Sequence, residues 1–261
     1  MFWQRLLSAI IGVPVLITAV WYGGAALLTV TVALMLLGVR EISVIFAKLD
    51  LKVPLFMVMP GCLILAAAAY KYKEGYPDDI SIIILIFYLV VMISFYPRFT
   101  PLDVAASFFC TIYVGLLIFL FLLSTLPNGW IWLILMLVCT WSSDTLAYLA
   151  GRRWGRRRMA PELSPGKTVE GALGGVLGSI IAAWVVVLLY IQLPLWPVLL
   201  LGLIIGLAAQ AGDLVESAIK RLAGIKDAGK LIPGHGGVLD RFDSMLFTAP
   251  LVYYYVGLIL N

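Results

Sequence analysis

The chain has 261 residues, 63% of them hydrophobic and 12% charged, with a formal net charge of +4. Together with a mean hydropathy of +1.06, that composition excludes a water-soluble globule and indicates a polytopic membrane protein. The cysteines Cys62, Cys110 and Cys139 lie inside apolar segments with no CxxC spacing, so neither a disulfide framework nor a thiolate metal centre is expected.

Crossing a bilayer takes about 17–25 apolar residues. Nine stretches qualify, near 6–22, 25–47, 53–70, 80–96, 104–125, 130–150, 171–190, 197–219 and 244–260. The first has Arg5 ahead of it and Gly23-Gly24-Ala25-Ala26 behind it, the outline of a signal peptide. Its apolar run is longer than a usual signal core, and it reads as a retained helix. With the N-terminus in the cytoplasm, the inside receives Arg5, Arg40, Lys48, Lys52, Arg98, the six basic residues from Arg152 to Lys167 and the five from Lys220 to Arg241. Only Lys71 and Lys73 fall outside, a 16-to-2 split that is a strong positive-inside signal. The expected fold is therefore all-α, with about nine spans, the N-terminus cytoplasmic and the C-terminus outside.

Residues 1–125 read as a helical scaffold half with few charges, in which Pro54, Pro60, Pro77, Pro97 and Pro101 mostly mark helix edges. Residues 126–261 read as the catalytic half, with active-site loops at 152–170 and 220–243. The first loop follows Asp144, Thr145 and Tyr148 and contains Arg152, Arg153, Arg156, Arg157 and Arg158. Most of these arginines read as a basic collar that holds the loop inside and meets anionic headgroups. Ser164, Lys167, Thr168 and Glu170 stand just before the seventh span, where free N–H groups attract anions. A plain helix start, with Ser164 or Thr168 as cap and Glu170 facing the dipole, accounts for the same residues.

On the eighth span, Asp213, Glu216, Ser217 and Lys220 are spaced 0, 3, 4 and 7, which places them on one helix face. A lone carboxylate at the depth of Asp213 costs roughly 2.5–3.5 kcal/mol on insertion scales. An internal pair of the Asp213–Lys220 kind is one way to offset that cost; a metal or a substrate is another. Asp240 and Asp243 open the last span three residues apart, and one of them could serve only as its cap. Between the two sets of acids runs Lys226-Asp227-Ala228-Gly229-Lys230-Leu231-Ile232-Pro233-Gly234-His235-Gly236-Gly237. Its glycines let backbone N–H groups reach phosphate oxygens. Carboxylates for a divalent cation beside lysines and a glycine loop suit a polyphosphate ligand.

The segment Ser217 to Asp243, with Lys220-Arg221, Lys226-Asp227, Gly229, Ile232-Pro233, His235-Gly236-Gly237-Val238 and Asp240-Arg241-Phe242-Asp243, resembles the signature of phosphatidate cytidylyltransferases, the CDP-diacylglycerol synthases. Ser143-Asp144-Thr145, Ala147-Tyr148, Gly151-Arg152, Ser164-Pro165, Lys167-Thr168 and Glu170-Gly171 resemble the same family. Gly166 departs from it, standing where many members carry a second lysine. The resemblance implies transfer of a cytidylyl group from CTP to phosphatidic acid, releasing pyrophosphate. It implies Asp213, Lys226, Asp227, Asp240, Arg241 and Asp243 as catalytic residues. Substrate binding would fall to Ser164, Lys167, Thr168, Glu170, Ser217, Lys220, Arg221, His235, Gly236 and Gly237. Asp144, Asp213, Asp240 and Asp243 would hold Mg²⁺, with enough carboxylates for a second cation. Partners are then CTP, phosphatidic acid and membrane lipids, with no nucleic acid and a homodimer as the commonest assembly. The expected location is the bacterial cytoplasmic (inner) membrane, with the site facing the cytoplasm. Alternatives are a CTP-dependent polyprenol kinase and a transporter, although a transporter would place its ionisable groups near the midplane.

Overall fold

A computed structural model describes residues 2–73, 78–190, 193–229, 231–232, 234 and 236–260. The chain packs as two compact units, one of Met1–Thr125 with Ile219–Phe242, the other of Leu126–Ala218 with Asp243–Asn261. Helix dominates, as the apolar runs require. Among the described residues six helical segments are long and apolar enough to cross a membrane: Gly24–Ala47, Leu55–Tyr72, Pro101–Thr125, Gly129–Trp154, Val169–Leu189 and Leu195–Leu222. The stretches near 6–22 and 80–96 contain shorter apolar helices, and the stretch near 244–260 is helical to its end.

The first unit holds α1 (Phe2–Tyr22), α2 (Gly24–Ala47), α3 (Leu55–Tyr72), α4 (Asp78–Ser94), α5 (Pro101–Gly115) and α6 (Phe119–Thr125), the last two joined by a 3₁₀ turn. A capping box starts α5. Thr100 accepts the Asp103 N–H at 3.3 Å, Asp103 accepts the Thr100 N–H at 2.8 Å, and Pro101 supplies a helical φ. The other oxygen of Asp103 takes the Lys52 N–H at 2.7 Å, which ties the α2–α3 turn to the head of α5. Deeper in the unit, the Tyr88 hydroxyl meets that of Thr111 at 2.6 Å, with both side chains buried. Pro60 lies inside α3 rather than at its edge. In an apolar helix packed against neighbours, the bond that proline forfeits is tolerated.

The second unit holds α7 (Gly129–Trp154), β1 (Arg158–Ala160), β2 (Ser164–Thr168) and α8 (Val169–Leu189). It also takes most of α9 (Leu195–Leu222) and of α10 (Leu239–Tyr255), which runs on as a π turn over Val256–Leu260. Small residues let these helices approach closely, as is common where lipid removes the usual driving force between helices. A methyl group at Gly174 of α8 would strike the Ala150 side chain of α7, and one at Gly206 of α9 would lie 3.0 Å from the Val176 backbone of α8. The antiparallel β1–β2 ladder is the exception to an all-helical reading. Its sequence, RMA and SPGKT, has no apolar alternation to announce a strand.

Candidate active site

Chemistry-bearing residues collect in and beside the loops at 152–170 and 220–243, and each unit holds its own set. In the first unit, α9 ends through a turn in which the Ile225 N–H reaches the Lys220 carbonyl at 2.9 Å, with Gly224 at φ +68°. The chain then loops back to Asp240 in the first turn of α10. One Asp240 oxygen contacts the Lys220 ammonium at 2.7 Å, and the other accepts the N–H groups of Ala228 and Gly237, each at 2.8 Å. Lys220 and Asp240 are only 12% and 7% exposed, so this ion pair lies largely out of water. Burial pushes the Asp240 carboxyl up. The Lys220 hydrogen bond, the Gly237 N–H, the Lys220 charge and the Ala228 N–H together outweigh it, and the group sits below the ordinary aspartate value. An Ile232–Gly236 bridge closes the tip of the loop.

Glu41 of α2, which carried no role in the sequence reading, enters the same loop. Its carboxylate accepts the N–H groups of Val238 and Leu239, each at 2.9 Å. These donors open α10, so the helix is capped by a residue 197 positions away in sequence rather than by Asp240 or Asp243. An acid inside an apolar span is itself a functional signal. It was overlooked here because the neighbouring Arg40 made it read as one half of a local charge pair at the end of a span.

In the second unit, the β1–β2 ladder leads into α8. Thr168 caps that helix by accepting the Gly171 N–H at 3.1 Å. Glu170 accepts the N–H groups of Arg156 and Arg157 at 2.9 and 3.2 Å, so it holds the arginine-rich segment by its backbone. Lys167 thereby arrives at Asp213, with its Nζ 2.6 Å from Oδ2, and Ser217 approaches the other oxygen at 3.4 Å. Asp213 pairs with the ladder lysine, whereas Lys220 pairs with Asp240. At Gly212 the head of α10 crosses α9 so tightly that a methyl group would lie 2.5 Å from the Asp243 carbonyl oxygen. Asp213 and Asp243 therefore stand at one helix crossing.

The remaining predicted residues are distributed as follows. Lys226, Asp227, Arg221, Arg241 and Asp144 are exposed, Ser164 lies in β2, and Gly236 takes φ +89° beside Asp240. His235 lies outside the described residues. Among the described residues no group of three or more His, Cys, Asp or Glu converges to cage a cation. Mg²⁺ needs no such cage, since one or two carboxylates with phosphate oxygens and water satisfy it. Asp213 and Asp243 supply carboxylates of that kind at one helix crossing; in this structure Asp213 contacts Lys167 and Ser217, Asp243 accepts the Ser244 N–H, and both oxygens of Asp240 are engaged as well.

Residues 3–259 match the cytidylyltransferase family. The chain belongs to that family. It is 36% identical to a phosphatidate cytidylyltransferase of Synechocystis, an alignment covering 98% of this chain and 97% of that protein. It is 33% identical to a phosphatidate cytidylyltransferase of Staphylococcus saprophyticus, over 95% and 96% of the two chains. An uncharacterized Escherichia coli protein is 46% identical, over 51% of this chain and 45% of its own length.

Proposed function

We propose that this cytidylyltransferase joins CTP to phosphatidic acid, forming CDP-diacylglycerol and releasing pyrophosphate at the cytoplasmic face of a bacterial inner membrane. The observation that carries this reading is the loop from Lys220 to Asp240. It folds around a shielded ion pair and keeps Lys226 and Arg241 at the surface, inside a chain related along its length to phosphatidate cytidylyltransferases.

A phosphate oxygen of phosphatidic acid attacks the α-phosphorus of CTP, and the bond to the bridging oxygen of pyrophosphate breaks. The lipid phosphate is already anionic near neutral pH, so no strong base is needed. The barrier lies in bringing polyanions together and stabilising the leaving charge. Lys226 and Arg241 supply positive charge to the nucleotide phosphates, and the glycine-rich stretch at Gly234 and Gly236 lets the backbone approach them. Asp240 holds Lys220 and shapes that segment. Lys167, delivered by the β1–β2 ladder, faces the Asp213 carboxylate and exchanges that contact for a phosphate when substrate arrives. Asp213 and Asp243 would hold Mg²⁺ with the phosphates, and the ion would offset charge on the departing pyrophosphate. Nine spans with a cytoplasmic N-terminus complete the reading. They put both basic loops where CTP is found and the lipid headgroup within reach of the bilayer surface.

The test is to supply the purified full-length protein with labelled CTP, phosphatidic acid and Mg²⁺ and to identify the lipid product by mass spectrometry. A cytidylyl adduct with release of pyrophosphate is expected. A lipid gaining a single phosphate would instead support the CTP-dependent kinase, and no lipid product would defeat both.

A further inference from the structure

The three amides that lead into α10 are shared between two carboxylates. Gly237 donates to Asp240, Val238 to one oxygen of Glu41, and Leu239 to the other. Glu41 is only 4% exposed, and both its oxygens point into the loop. The loop is shaped to receive it. A methyl group at Gly229 would lie 2.6 Å from Oε1, and one at Gly237 would lie 2.5 Å from Oε2. Two loop glycines thus occupy positions where any side chain would strike this carboxylate. Anionic oxygens at the first N–H groups of a helix are favoured by its dipole, and buried N–H groups left without acceptors are costly.

We propose that Glu41 is a positioning residue for the nucleotide loop. From within the first half of the chain it sets the path of the loop at Gly229 and from Gly237 to Leu239, and through the shared amide run it sets the orientation of Asp240 and its hold on Lys220. Assigning that loop to CTP rests on the function proposed above; the contact of Glu41 with the loop does not.

The conservative variant Glu41→Gln keeps the volume and turns one oxygen into an NH₂ group that faces an N–H. Measured on the full-length protein, it is expected to raise the KM for CTP about tenfold or more, the scale of a lost charged hydrogen bond, with the KM for phosphatidic acid unchanged. Amide hydrogen exchange of the 236–242 segment should quicken while α3 and α5 keep their protection. A double-mutant cycle adds a third readout. Gly237→Ala should impair CTP use in the wild-type background and cost nothing further beside Glu41→Ala, where the struck carboxylate is gone. Unchanged exchange in 236–242 would overturn the proposal. So would faster exchange throughout the first unit, because Glu41 would then be a general fold residue. If the wild-type protein makes no CDP-diacylglycerol, the kinetic readouts fall with the function, and the exchange comparison still decides whether Glu41 holds the loop.

Discussion

At the scale of single residues, opposite charges are matched by path rather than by proximity in sequence. Asp213 and Lys220 share a helix face, yet Asp213 takes Lys167 and Lys220 takes Asp240. Lys226→Gln should therefore abolish turnover, whereas Arg157→Gln should leave it near wild type. The first charge acts by position. The second belongs to a collar, and the segment that carries it is held by backbone bonds to Glu170. A radiolabelled CTP assay on both variants decides, and equal losses would refute this division. Asp240 also sets an acid limit. Its folded carboxyl sits below the unfolded value, so its contribution is complete above about pH 4 and is lost as pH falls through the lowered value. Thermal unfolding in detergent should show Asp240→Asn well below wild type at pH 7, with the gap closing as pH drops toward 3. The acids and lysines were legible in the sequence because charge inside apolar runs stands out. Their partners were not, because pairing depends on how α8, α9 and α10 are brought together.

Among the elements, helices were readable and the β1–β2 ladder was not. Apolar length alone dictates a spanning helix, but the ladder is fixed by the Thr168 cap, the Glu170 clamp and the Arg158–Thr168 pairing, none of which leaves a periodic trace. Glu170→Ala frees the Arg156 and Arg157 amides. Limited trypsin digestion should then cut within 156–158 faster than in wild type, with the helices intact. The α9–α10 crossing gives a sharper prediction. Gly212→Ala places a methyl group 2.5 Å from a backbone carbonyl, which cannot move like a side-chain tip. Overpacking of this kind costs about 1–3 kcal/mol. Gly212→Ala should lower the thermal midpoint and the turnover together, whereas Gly166→Ala, with nothing within 4 Å, should change neither.

For the molecule as a whole, composition announced a membrane protein, and among the described residues six helices meet the length and hydropathy that crossing demands. The proposed nine spans make a direct prediction. After the native cysteines are replaced, a cysteine at position 128 should react with an impermeant thiol reagent from outside intact cells, and one at 155 should not. Reaction at 155 would place the arginine loop away from CTP and defeat the functional reading.

Glu41 also bears on the order of assembly. The ribosome delivers α2 long before residues 238 and 239 exist, so this carboxylate enters the membrane with neither of its eventual donors. An unmatched acid in a span is costly to insert, and the debt is cleared only when the far end of the chain folds back. Nascent intermediates stalled before residue 238 should accordingly leave α2 weakly anchored and open to membrane proteases, a vulnerability that Glu41→Leu would remove during synthesis and replace with a faulty loop in the finished enzyme.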